Sequence, residues 1–320
     1  MCVSLLAAAA AAAAPRAEAQ GVQPRSLQPT ARRGQPRSYV FLGQSNTKGC
    51  AARTDVSEKM TARLRAVAPR ITLTASGGGA PQLQDFLGPD PPFFGPELHF
   101  ARVLAEADPD ASLLLYKSWS SGISIADELE RPGDETRKKA SVSLRGNSTA
   151  ATALGMLNGA NPQAVIWFQG EGDIRDEAPS IAAERYSTNL RALIAAVRAQ
   201  SGAERPALFL VVENHRSTSL RCDASAVELQ RAQMVTDAKR AASRDLQRVV
   251  FLANAHDDAA SPDFLPSYCN ESKAAFERQM QPHCPREDAY AACCESPGHL
   301  NAEGQRRLGE RLAKAVLADA

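Results

Sequence analysis

The sequence lacks a charge imbalance. Its 320 residues carry 37 Lys+Arg against 36 Asp+Glu, a formal net charge of +1. Binding to nucleic acid or to a membrane surface draws on a basic excess, so neither partner is expected. Outside the N-terminal tail the basic residues are scattered and form no dense cluster. The apolar stretch Val3 to Ala14 is too short to span a bilayer. No CxxC pair with matching Cys/His spacing occurs, so a zinc site has no recognisable ligand pattern. Internal repeats and a linker inside 37–320 are also missing, which makes one domain the economical reading.

What is present begins with a leader. Val3 to Ala14 is followed by Ala17-Glu18-Ala19, the small-x-small pattern read by a signal peptidase. Residues 1–19 are therefore expected to be a signal peptide, although no Lys or Arg precedes Arg16; an alanine-rich disordered leader is the rival. Residues 20–36, rich in Gln, Arg and Pro, read as a flexible linker. Six cysteines lie beyond the leader: Cys50, Cys222, Cys269, Cys284, Cys293 and Cys294. Four of them fall within 269–294, a stretch of little periodicity, which suggests disulfides bracing a long loop in a secreted protein. Asn147 and Asn270 begin sequons.

From residue 37 onward, short apolar runs alternate with helical patterns. The strand candidates are 38–43, 70–75, 112–117, 163–168, 207–213 and 248–254. The helix candidates are 51–66, 96–107, 149–158, 179–201, 225–245 and 301–318, the last with Asn301 as N-cap. Continuous apolar strands are expected where both faces of a sheet are covered. The fold class is therefore α/β, a three-layer doubly wound parallel sheet. Three long connections, 76–95, 127–148 and 255–298, are expected to wall a cleft at the C-terminal edge of that sheet.

Three stretches carry chemistry. Gly43-Gln44-Ser45-Asn46 follows the first strand candidate directly, and ligand crevices form at such strand ends. Ala164-Val165-Ile166-Trp167-Phe168-Gln169-Gly170-Glu171-Gly172-Asp173 again runs from a strand into a turn. Gly298-His299-Leu300-Asn301 precedes the last helix. Taken singly each has a plain alternative, since serine and asparagine are ordinary turn residues. Together they resemble the SGNH/GDSL hydrolase superfamily. More narrowly they are similar to its carbohydrate acetylesterase branch, the sialate O-acetylesterase and acetylxylan esterase group of carbohydrate esterase family six. Gly95-Pro96-Glu97 after Phe93-Phe94, and Lys117 followed by Ser121-Gly122-Ile123-Ser124, are also similar to elements of that branch. The resemblance runs in order from about residue 38 to 318 and implies a flavodoxin-like SGNH hydrolase fold.

It also implies roles. Ser45 is the expected nucleophile and His299 its base. The Ser45 and Gly122 backbone N–H groups and the Gln169 side-chain amide are the expected oxyanion donors. Asn46 is expected to hold its loop, and Glu171 the Gln169 turn or a neighbouring loop. His99, His215, His256 and His283 read as structural, Trp167 as core, Glu97 as a helix brace and Asp173 as a turn residue. One position departs from the pattern: Ser296 stands where the family has an aspartate three residues before its histidine. Glu295 is the expected third member through a shifted loop; a Ser-His dyad and a lost activity are the alternatives. The implied function is removal of O-acetyl groups from acetylated polysaccharide or sialic acid, secreted, without metal or organic cofactor. A general small-ester carboxylesterase and an inactive glycan-binding relative are the other readings.

Overall fold

A computed structural model describes residues 36–49, 51, 56–76, 94–120, 122–130, 143–175, 181–201, 205–214, 225–253, 300 and 302–320. Its centre is a parallel sheet of β1 (Arg37–Gly43), β2 (Ile71–Ala75), β3 (Leu113–Trp119), β6 (Pro162–Phe168), β7 (Leu208–Val212) and β8 (Val249–Leu252). The spatial order is β2-β3-β1-β6-β7-β8. Without the edge strand β2 the remaining five follow the flavodoxin order, and the direction of winding reverses between β1 and β6. Two short strands, β4 (Leu129–Glu130) and β5 (Ser143–Leu144), form a separate antiparallel pair.

Alternation along each strand builds two cores. Tyr39 and Phe41 of β1, Ile166 and Phe168 of β6, and Leu210 of β7 face one side. There they meet α2 (Glu58–Val67), α3 (Glu97–Ala107) and α8 (Ala302–Asp319). Val40, Leu42, Val165, Trp167 and Val211 face the other side, against α4 (Thr149–Met156), α6 (Ala182–Ser201) and α7 (Ala226–Asp245). Successive strand residues thus serve opposite layers, and burying each large side chain is worth about 1.5–3 kcal/mol. Trp167 is fully buried with its Nε1 donating to the Tyr186 hydroxyl at 3.1 Å, so it belongs to the core as expected.

All six strand candidates are present, with ends shifted by a few residues at most over the described positions. The helix candidate 51–66 is corrected. Ala51 pairs with Phe94 in an antiparallel bridge, and α2 begins at Glu58 behind the Ser57 cap, whose side chain accepts from Met60 N at 3.3 Å. The segment 127–148 is not wholly irregular, since it holds β4 and β5. Buried Glu128 caps α4 from a distance, accepting from Thr149 Oγ1 at 2.6 Å and from Ala150 N at 2.9 Å. In α8, Leu308, Leu312 and Val316 are buried as the spacing predicts. Arg102 binds Glu106 at 2.7 Å and Glu310 at 2.6 Å, tying α3 to α8. The leader, the Asn301 cap, the loop 255–298, all six later cysteines and Asn270 lie outside the described residues.

Candidate active site

β3, β1 and β6 end level with one another, because Gly43 registers with Trp119 on one side and with Phe168 on the other. Everything that leaves these three strands therefore emerges at one edge. From β1 the chain turns at Gly43, with φ +149°, into the one-turn helix α1 (Ser45–Lys48). Thr47 Oγ1 lies 3.1 Å from Phe168 O and 3.3 Å from Leu42 O, so it closes the turn against β6 and β1. Lys117 Nζ of β3 donates to Lys48 O at 2.7 Å and to Glu97 Oε1 at 2.6 Å. Glu97 in turn accepts from Gly95 N at 3.0 Å. Burial pulls the Lys117 pKa down, and Glu97 opposes that. A buried ion pair thus fixes the C-terminal end of the helix that Ser45 opens.

Gly122 follows β3 in a left-handed conformation, φ +71°, and is exposed. Gln169 follows β6 and is fully buried. Its Nε2 donates to Ile123 O at 2.8 Å and to Asp173 Oδ2 at 2.7 Å. A primary amide has two hydrogens, and both are taken. With these two bonds the Gln169 amide clamps the Gly122–Ile123 loop to the end of β6. Asp173 reinforces the clamp, accepting from Ile125 N at 3.0 Å. A Cβ on Gly172 would lie 2.1 Å from Ile123 O, so the two loops meet backbone to backbone.

Behind the serine turn lies a second polar layer. Gln44 Nε2 donates to Glu171 Oε2 of α5 (Glu171–Ile174), both groups being buried. Asn46 Oδ1 accepts from Leu300 N at 3.1 Å across 254 residues. Asn46 thus reaches across the fold to the residue that precedes the start of α8 by two positions. Burial raises the Glu171 pKa, while Lys239 and the Asn214 and Asn46 amides favour its charged form. Lys239 of α7 is itself buried and donates to Gln169 O at 2.6 Å, Val212 O at 2.8 Å and Asn214 Oδ1.

The sequence profile of the family described as "Carbohydrate esterase, sialic acid-specific acetylesterase" matches residues 36–263. The chain belongs to that family. The matched span contains Ser45, Gly122, Gln169 and Glu171, and ends before Glu295 and His299. Carbohydrate acetylesterase is accordingly the class of this enzyme, and acetylated carbohydrate its class of substrate. Solved structures share the fold. An Arabidopsis thaliana protein is 19% identical with a TM-score of 0.51, over 89% of this chain and 99% of its own. A carbohydrate acetylesterase of Xanthomonas citri is 16% identical, TM-score 0.54, over 89% of this chain and 57% of its own. NanS is 14% identical, TM-score 0.52, over 88% and 97%. No curated protein matches the chain in sequence.

In this esterase the edge of β3, β1 and β6 brings Ser45, Asn46, Gly122, Gln169 and Glu171 to one place. Glu295 and His299 lie outside the described residues; Leu300, next to His299 in the chain, is joined to Asn46. His99 is buried against Phe94, its pKa driven down to about 3 mainly by burial, and takes a structural place as expected. Sequence reasoning missed Gln44, Asn214 and Lys239 as members of the site. Gln44 stood inside the first motif, whereas no local pattern marks Lys239. Asp173 was underestimated, because its spacing after Gln169 also suits a plain turn.

Asp173 has a consequence for stability. Burial pushes its carboxyl up to about 7, against hydrogen bonds from Gln169 and Ile125. The native state therefore holds a proton that the unfolded chain releases above its ordinary value of 3.8. Stability contributed by this group is lost as pH rises from about 4 to 7. Asp173→Asn keeps an acceptor for Gln169 and Ile125 and removes the titration. Denaturant unfolding across that pH window should show a flatter profile than wild type, by up to a few kcal/mol.

Proposed function

We propose that the enzyme removes O-acetyl groups from carbohydrate through an acyl-serine intermediate on Ser45. In this reading Ser45 Oγ attacks the acetyl carbonyl while His299 takes its proton. Collapse of the tetrahedral intermediate expels the sugar hydroxyl, which receives that proton, and leaves acetyl-Ser45. Water activated by the same imidazole then releases acetate and restores the hydroxyl. The Ser45 and Gly122 N–H groups are the oxyanion donors, and removing one such donor costs about 3–4 kcal/mol of transition-state stabilisation. The Ser45 N–H opens α1, where no intrahelical acceptor exists, and Gln169 holds the Gly122 loop in place. Glu295 orients the imidazole.

One observation carries the reading: the Ser45 turn is hydrogen-bonded through Asn46 to Leu300, the neighbour of His299, at the edge where Gly122 and Gln169 also emerge. The family description favours O-acetylated sialic acid among the acetylated carbohydrates. Acetate release from O-acetylated sialic acid, acetylxylan and p-nitrophenyl acetate, each with wild type and Ser45→Ala, tests it. Ser45-dependent release highest on the sialic acid is expected. Release only from the aryl ester would move the enzyme to the general esterases, and none at all would leave a binding protein. Secretion belongs to the same proposal and predicts that the exported protein begins at Gln20.

A further inference from the structure

We propose that Lys239 is a positioning residue of the esterase site: its ammonium ties the carboxyl ends of β6 and β7 together and is the counter-charge on which Glu171's hold on Gln44 depends. The kinetic part of this proposal rests on the Ser45 reading; the structural part does not. Lys239 lies in the middle of α7 with 0% of its surface exposed. An ammonium has three protons, and Gln169 O, Val212 O and Asn214 Oδ1 take one each. The two main-chain acceptors stand at the ends of neighbouring parallel strands, so the cation bridges them where the strands give way to site loops.

From there the connection runs to the serine. Asn214 Oδ1 accepts from the ammonium, and both the Lys239 charge and the Asn214 amide favour the charged form of Glu171. Glu171 accepts from Gln44, and Gln44 N donates to Phe168 O at 3.4 Å. The residue before Ser45 is therefore held at its main chain by β6 and at its side chain by the carboxylate that Lys239 balances.

Among the described residues, the other titratable groups around the pair have partners of their own. Glu213, after β7, binds Arg240 at 3.1 Å. Asp173, on α5 with Glu171, is held by Gln169 and Ile125. Tyr186 of α6 presents its ring to the ammonium 5.7 Å away. Burial lowers the Lys239 pKa to about 8, with Glu171 the strongest influence against it. A buried carboxylate that loses its counter-charge takes up a proton instead of staying charged. A protonated Glu171 is a weaker acceptor for Gln44, and the turn before Ser45 loosens.

The test compares wild type, Lys239→Met, Glu171→Gln and the double variant. Infrared difference spectra between wild type and Glu171→Gln read the Glu171 carboxyl with no turnover involved. An ionised-carboxylate band at about pH 7 is expected there, replaced by a neutral-acid carbonyl band in the difference between Lys239→Met and the double variant. An ionised band in both pairs overturns the proposal. In kinetics on p-nitrophenyl acetate, Lys239→Met should lose at least about tenfold in kcat with KM nearly unchanged. The acid limb of its pH profile should move up by about one unit. The double variant should match Glu171→Gln, without additive loss. An unmoved limb, or losses that add, would sink the idea. Should Lys239→Met fail to fold while the double variant folds, equality with Glu171→Gln supports the proposal and a further tenfold loss opposes it. Absence of Ser45-dependent turnover in wild type counts against the Ser45 reading alone, and the infrared result then decides on Lys239.

Discussion

Ser45→Ala is expected to lower kcat on an acetyl ester by roughly 10⁴–10⁶-fold, while changing unfolding free energy by no more than about 0.5 kcal/mol. The two halves of this expectation have separate causes. A nucleophile that forms and breaks the acyl bond has no substitute at its position, so its loss removes the covalent route and leaves only binding and oxyanion stabilisation. The fold, in contrast, does not lean on the hydroxyl. The turn is held by Thr47 Oγ1 on Leu42 O and Phe168 O, and by Lys117 on Lys48 O. It is further held by the main-chain bonds of Lys48 N to Gln44 O and of Gly49 N to Ser45 O. Single-turnover acetate release together with denaturant unfolding separates the two. A variant that loses activity and stability in parallel would point to a structural serine, and one that keeps its turnover would remove Ser45 from the chemistry.

The parts of this architecture that depend on local pattern were legible in the sequence. Tyr39 to Leu42 and Ala164 to Phe168 are continuous apolar runs because alternate residues fill two different cores. That same property announced a parallel sheet. The motifs at Ser45 and Gln169 were visible because each directly follows such a run. Start signals carried less. Ser57 caps α2 through its own side chain, yet the apolar spacing from residue 51 masked it. What the sequence hid was every contact whose partner is distant along the chain. Gln44 finds Glu171 across 127 residues, and Lys239 reaches Gln169 across 70. Lys239 sits in a helix rich in charge, next to Arg240, and nothing in its neighbourhood distinguishes a fully buried lysine from an exposed one. The clamp made by the Gln169 amide was hidden for the same reason. Its acceptors, Ile123 O and Asp173, are set by how two loops meet, and the motif alone leaves the amide free to be imagined facing a substrate.

That meeting of loops makes glycine substitution at the serine turn the most damaging small change to stability. Gly43→Ala is expected to cost at least about 4 kcal/mol, enough to unfold much of the population at moderate temperature. At φ +149° a side chain is strained whatever the space, and here there is none. The added Cβ would stand 2.0 Å from Phe168 O and 2.4 Å from Thr47 Oγ1. Phe168 O is backbone at the end of a central strand, and it accepts from both Gln44 N and Thr47 Oγ1. Relief therefore requires β1 and β6 to part at the point from which Ser45 and Gln169 are placed. Gly122→Ala is the matched control. Its φ of +71° also disfavours a side chain, but no atom of the described residues lies within 4 Å of the new Cβ. Only the backbone strain of about 1 kcal/mol is then expected. Urea unfolding of the two variants side by side measures the difference. A Gly43→Ala protein no less stable than Gly122→Ala would mean that the β1–β6 edge yields easily, and the rigid placement of Ser45 would have to come from elsewhere.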